Sequence, residues 1–180
     1  VLLDRCARVG ATPVRQGVEF GLIDRQVAIG GQMISLQGLG GKYDQIFLPL
    51  HGEHQAHNAA VALAAVESFL GGGRGALDVD VVREAFASVT SPARMEIVRR
   101  SPTIMIDAAH NPHGATALAQ ALEEAFSFER LVGVLAVFAD KDAQGLLEAL
   151  EPVLHEVVIT QNTSPRCMPA EELAALARSS

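Results

Sequence analysis

Apolar residues recur along this chain at two different spacings, and the switches between them mark its elements. Leu2, Leu3, Cys6 and Val9 fall at helical intervals ahead of Gly10, which predicts the end of a helix. The period then shortens. Residues 14–15, 18–20, 26–29, 33–36 and 43–50 are β-prone pieces separated by glycine, and Gly30 with Gly31 suits a two-residue hairpin turn. Residues 12–50 therefore read as a small β-rich region. An alanine-rich helix is predicted over 53–70, ended by Gly71, Gly72 and Gly73, and a second over 79–89 with Asp78 placed to cap it.

Helical periodicity stops at residues 90–93, Thr-Ser-Pro-Ala, the best place for a domain boundary. Beyond it the order is strand 95–100, strand 103–107, helix 112–127, strand 131–138, helix 143–154, strand 156–160 and helix 170–178. Strands alternating with helices predict an α/β fold with a parallel, doubly wound sheet. The runs TIMID, LVGVLAVF and EVVIT are continuously apolar, as expected of strands covered by helices on both faces.

Composition narrows the classes. With 180 residues, 49% hydrophobic, the chain can bury a substantial core. The net charge of −7 and scattered basic residues leave no stripe to follow a nucleic-acid backbone, so nucleic acid is not expected as a partner. Cys6 and Cys167 make neither a disulfide framework nor a zinc cluster, which favours a reducing, cytoplasmic setting. No apolar run reaches the roughly 20 residues of a membrane span. Val1 opens the chain inside a helical pattern, so the sequence is expected to be a piece of something longer.

In parallel sheets, ligands bind beyond the carboxyl ends of the strands. Three such ends carry polar clusters: residues 107–112 (DAAHNP), 139–142 (ADKD) and 160–166 (TQNTSPR). Asn111 can cap the helix that follows and Pro112 suits its first turn, leaving a positive helix end beside Asp107 and His110. Asp107 could accept from ribose hydroxyls and His110 donate to a phosphate; plain capping with solvated neighbours is the alternative. Lys141, one of two lysines, could neutralise a transferring phosphoryl group, or simply pair with Asp140 and Asp142. Arg94 at the boundary could reach a nucleotide, and Arg166 suits a substrate carboxylate; for both, a surface salt bridge is the competing reading.

The histidines invite a metal site that the pattern does not complete. His51, His54 and His57 are three apart, as are His110 and His113, but no Glu or Cys finishes a ligand set. His54 and Asn58 read instead as a polar pair on one helical face, toward a ligand or within a satisfied buried network. Neither a Gly-x-Ser-x-Gly elbow nor a Gly-rich loop ending in Gly-Lys-Ser/Thr is present.

Taken in order, HGEHQAHNAAVALAAVE, SPARMEIVR, IDAAHNPHGA, FADKD and ITQNTSPR resemble the signature of folylpolyglutamate synthase/dihydrofolate synthase, in the Mur ligase superfamily. The resemblance covers essentially the whole chain and is loosest over residues 1–50. It implies that residues 1–91 are the back part of a central ATP-binding domain, and that 92–180 are a Rossmann-like C-terminal domain, incomplete at its end, with ATP held between the two. It further implies Asn58 and Arg94 at adenine or phosphate, Asp107 at the ribose, His110 and Asn111 in the phosphate region, and Lys141 beside His110 in catalysis. Asp142, Ser164 and Arg166 fall on the glutamate side.

The implied reaction activates a folate or pteroate carboxylate as an acyl phosphate with ATP and Mg²⁺, and the amine of L-glutamate then attacks it. The family's phosphate loop, its principal Mg²⁺ ligands and most of its folate site lie outside these residues, so the chain alone is expected not to turn over ATP. The complete form is expected to be a monomer. Ala93 stands where the family often has Gly. Two other readings stay open: a cell-wall ligase of the same superfamily, and a nucleotide-binding module without chemistry. The His-Gln-x-x-Asn helix start and the Lys-Asp pair favour the folate branch.

Overall fold

The computed structural model describes residues 1–179, and the chain divides between Thr90 and Ser91 into two compact units. The first opens with helix α1 (Leu2–Val9), which Gly10 ends in the left-handed conformation, φ 69°. That conformation is open to glycine because it has no Cβ to clash. Strands β1 (Gly21–Ala28), β2 (Gly31–Gln37) and β3 (Lys42–Leu48) form an antiparallel sheet in that order.

Two expectations shift here. The hairpin turn is Ile29 and Gly30, because Gly31 already pairs with Ala28; a Cβ on Gly31 would lie 2.2 Å from the Leu48 carbonyl oxygen of β3. Residues 14–15 and 18–20 form no strand, and only an isolated bridge joins Gln16 to Phe20. The first strand is Gly21–Ala28 instead, an edge strand whose side chains are mostly exposed. Its polar sequence carries little hydrophobic alternation for a sequence reading to detect.

Helix α2 (Glu53–Gly71) covers this sheet, with α3 (Val79–Ala87) beside it. Ala56, Ala59, Ala60, Leu63 and Ala64 of α2 share a core with Ile34, Leu36, Tyr43, Ile46 and Leu48. Alanines at these positions let the helix backbone approach the strands closely, so the buried large side chains are mainly the sheet's. Asp78 caps α3 by accepting from the backbone N–H groups of Asp80 and Val81. Gln32, buried in β2, donates to the carbonyls of Leu50 (2.8 Å) and Gly52 (3.0 Å), which fixes the entry into α2.

The second unit contains β4 (Glu96–Arg100), β5 (Thr103–Ile106), α4 (Pro112–Ala125), β6 (Val132–Leu135), α5 (Ala143–Leu150), β7 (Glu156–Ile159) and α6 (Ala170–Ser179). Strands β6 and β7 are parallel, with Val132 opposite Glu156 and Leu135 opposite Ile159. Strands β4 and β5 pair separately as an antiparallel hairpin. Element order is thus as predicted, but the hydrogen-bonded parallel sheet is smaller.

Coverage on both faces is also corrected. Ala115, Ala119, Leu122, Leu146, Leu147 and Leu173 from the helices form the core with Met105, Leu135 and Ile159 packed against it. Alternate residues Ile104, Ile106, Val132, Val134 and Val158 point the other way and stay between 42% and 67% exposed. A continuous apolar run in a short strand does not reveal which of its faces is covered, and here one is. Among the described residues no helix is long and apolar enough to cross a membrane.

Candidate functional site

The loop after β5 organises one half of the candidate site. Asp107 accepts from two backbone N–H groups, that of Met95 at Oδ2 (2.9 Å) and that of Ala109 at Oδ1 (2.7 Å). The Ala108 N–H donates to the Ala93 carbonyl (2.9 Å). These bonds tie the turn at 93–95 to the strand end. Ala93 and Met95, on either side of Arg94, both have positive φ, 55° and 49°, a conformation costing a residue with a Cβ about 1–2 kcal/mol. Met95 is buried in the core. Arg94 is exposed, and among the described residues its guanidinium has no hydrogen-bond or ion-pair partner.

His110 is exposed, and its Nδ1 lies 3.0 Å from the Ala108 carbonyl oxygen. That contact makes Nδ1 the donor, so Nε2 is an acceptor in the neutral ring and a donor only in the imidazolium. A bond from Nε2 to a phosphate therefore requires the charged form, a condition the sequence does not convey. Asn111 Oδ1 accepts from the Gly114 N–H (2.8 Å) and Pro112 occupies the first turn of α4. The capping expected of Asn111 is present, and since Pro112 has no N–H and that of Gly114 is taken, the His113 N–H is what the first turn leaves at the positive end of the helix dipole.

The second half gathers around Asp140. Arg166 Nη2 donates to both Asp140 oxygens at 2.9 Å, and its guanidinium stacks 4.9 Å from the centroid of the Phe138 ring. Lys141 Nζ lies 3.7 Å from Asp140 Oδ2. The hydrogen bond from Arg166, with added attraction from Lys141, holds the Asp140 carboxyl below its ordinary range. The backbone supports this placement: Ala139 N–H donates to the Arg166 carbonyl, and Met168 N–H to that of Val137. Ser164 Oγ lies 3.3 Å from the Arg166 N–H.

Asp142 joins the halves. It caps α5, accepting from the Gly145 N–H at 2.9 Å. A Cβ on Gly145 would come within 2.7 Å of Pro112, so the first turns of α4 and α5 are in contact. Asp107, His110, Asn111, Asp142, Lys141, Ser164 and Arg166 thus line one rim, with Arg94 attached through Asp107. Asn58 lies in the other unit, on α2, where it donates to Gln55 Oε1 (3.3 Å).

What the sequence missed is Asp140 as counter-ion of Arg166, Phe138 beneath that guanidinium, and the backbone at Ala93 and Met95. Partners 26 residues apart leave no local signal. An open pocket of about 260 Å³, lined by Leu147, Glu151, Leu154, His155, Glu156 and Val157, sits at the start of β7, the opposite strand end from this rim. It contains none of the site residues, and parallel strands place ligands at their carboxyl ends. Among the described residues no three His, Cys, Asp or Glu side chains converge as a cation site.

Comparison with known proteins bears on the same segments. Residues 93–180 match the family model described as Mur ligase, glutamate ligase domain. A dihydrofolate synthase/folylpolyglutamate synthase of Mycobacterium tuberculosis is 57% identical over 178 residues, 98% of this chain and 37% of that protein. The structure of M. tuberculosis folylpolyglutamate synthase complexed with ADP superposes with a TM-score of 0.96 at 56% identity, over 99% of this chain and 39% of that one. E. coli FolC in complex with DHPP and ADP gives a TM-score of 0.81 at 28% identity, over 98% and 40%. The chain therefore spans about two fifths of the length of the relatives it matches. In sequence, in fold and in the order of its polar strand ends, it belongs to the folylpolyglutamate synthase/dihydrofolate synthase family of Mur ligases.

Proposed function

We propose that this chain supplies the C-terminal, nucleotide-facing part of an ATP-dependent ligase that adds L-glutamate to a folate or pteroate carboxylate by way of an acyl phosphate. The observation that carries the reading is Arg94: an exposed guanidinium without a partner, on a strained turn held next to His110 and the N-terminus of α4. Backbone strain of this kind persists where a function requires the geometry. Similarity to a protein that binds ADP supports the same assignment.

In this reading Arg94 and the charged form of His110 neutralise phosphate oxygens, the His113 N–H at the start of α4 donates to them, and a remaining lone pair of Asp107 accepts from the ribose. Lys141 adds positive charge where phosphoryl transfer develops negative charge. Arg166, with Ser164 and Asp142 nearby, receives a carboxylate of glutamate, since a guanidinium already oriented by Asp140 and Phe138 loses little freedom on binding it. The assignment of Asn58 to adenine rests on the family resemblance alone. The sequence contains no Gly-Lys-Ser/Thr loop, so the chain by itself is proposed to bind nucleotide without turning it over.

The test is ATP-dependent glutamate addition by the intact ligase containing this chain, compared with Arg94→Ala and His110→Ala. Both variants should raise the KM for ATP by about 10- to 100-fold, the worth of a hydrogen bond to a charged group. An unchanged KM in both would remove the nucleotide from this rim.

A further inference from the structure

We infer that Asp107 is a positioning residue for Arg94, acting through the backbone of Met95 on the nucleotide affinity of this site. The inference rests on the reading above and assigns Asp107 a task beyond any direct contact with ribose. Three observations lead to it.

First, both carboxylate oxygens are committed at short distance to backbone donors, Met95 N–H at 2.9 Å and Ala109 N–H at 2.7 Å. Only one of these donors is local. Met95 lies twelve residues earlier, so the carboxylate staples the start of β4 to the end of β5, while the Ala108 N–H bond to the Ala93 carbonyl (2.9 Å) closes the other side of the same turn. Second, Ala93 and Met95 both hold positive φ, and the residue between them is Arg94. Both residues carry a Cβ in the left-handed region, so the turn relaxes unless something outside it imposes its shape. The carboxylate does this, since hydrogen bonds to a charged acceptor are stronger than those to a neutral one. Third, Arg94 uses none of its side-chain donors within the described residues, and the Arg94 N–H bonds only to the nearby Ser91 carbonyl (3.2 Å). The strain therefore serves no interaction of the Arg94 side chain inside the protein, and its outcome is the direction in which the guanidinium is presented.

A double-mutant cycle in the intact ligase separates this role from a ribose contact. Asp107→Asn retains one acceptor oxygen and should raise the KM for ATP about tenfold while kcat at saturating ATP changes less than about threefold. In the Arg94→Ala background the same substitution should add less than about twofold, because the residue through which it acts is gone. The penalty should also persist with 2′,3′-dideoxy-ATP, which has no ribose hydroxyl to lose. Additive effects in the cycle, or a penalty that disappears with dideoxy-ATP, would overturn positioning and leave the proposed function intact. If neither Arg94→Ala nor Asp107→Asn alters the KM for ATP, the proposed function fails and the positioning role with it. Should Asp107→Asn not fold, Asp107→Ser, whose hydroxyl also accepts one N–H, goes through the same cycle with the same outcomes deciding.

Discussion

Tyr43 donates its hydroxyl hydrogen to Glu67 Oε1 at 2.6 Å, and both side chains are fully buried. Glu67 also accepts from the backbone N–H groups of Leu39 (2.5 Å) and Gly40 (3.1 Å), and the Tyr43 oxygen accepts from Leu77 N–H at 2.7 Å. One carboxylate thus fastens α2 to the β2–β3 loop. Burial, and secondarily the neighbouring Glu67, raises the Tyr43 phenol above its ordinary range, which keeps it a donor. Glu67→Ala strands the buried Tyr43 hydroxyl and two part-buried N–H donors and should cost about 3–5 kcal/mol in urea unfolding. Glu67→Gln keeps one acceptor oxygen and should cost less. A loss below about 1 kcal/mol for the alanine variant would show that water replaces the carboxylate.

Ala93 carries the other clear strain, with φ at 55°. A left-handed alanine costs about 1–2 kcal/mol and glycine surrenders about 0.5–1 kcal/mol of chain entropy. Ala93→Gly should therefore stabilise the chain by roughly 0.5–1 kcal/mol. Thermal unfolding checks this, and a lowered midpoint would mean that the methyl group's contacts outweigh the strain.

Much of this site was legible in the sequence because its chemistry sits at element ends, where capping residues and apolar runs announce themselves. Asn111 before Pro112 and Asp78 before α3 are such cases, each confirmed by a side-chain bond to the first turn, whereas the cap that Asp142 gives α5 came from the structure. Of the polar edge strand β1 only the end, within the predicted piece 26–29, was legible, since no face of the rest is strongly apolar. Three-dimensional partnerships were also out of reach: Asp140 with Arg166, Tyr43 with Glu67, and Asp107 with Met95 are separated by 12 to 26 residues. The family resemblance suggested where Asp107 belongs, whereas its two backbone bonds emerged from the geometry.

Arg166 tests the glutamate side. Its stacking on Phe138 needs a planar guanidinium, so Arg166→Lys should fail to restore what Arg166→Ala removes. In the intact ligase both variants should raise the KM for glutamate about tenfold or more and leave that for ATP within about twofold. Equal effects on the two substrates would place Arg166 elsewhere in the reaction.

His51 gives a pH dependence. Partial burial lowers its pKa from the ordinary 6.5, so the unfolded chain takes up a proton before the folded one does. The associated stability is complete above the unfolded value and is lost as pH falls through it toward the lowered folded value. His51→Gln should therefore lose less unfolding free energy than the parent between about pH 7 and pH 5. Identical pH profiles would exclude His51 as a source of acid sensitivity.

The most direct test follows the backbone amides of the ¹⁵N-labelled chain by NMR as ADP is added. Shifts concentrated at Arg94, residues 107–114 and residues 139–145, and abolished by Arg94→Ala, are the result expected of a nucleotide held at the α4 and α5 N-termini. Saturable shifts confined to other residues, such as those around the pocket at the start of β7, would contradict it.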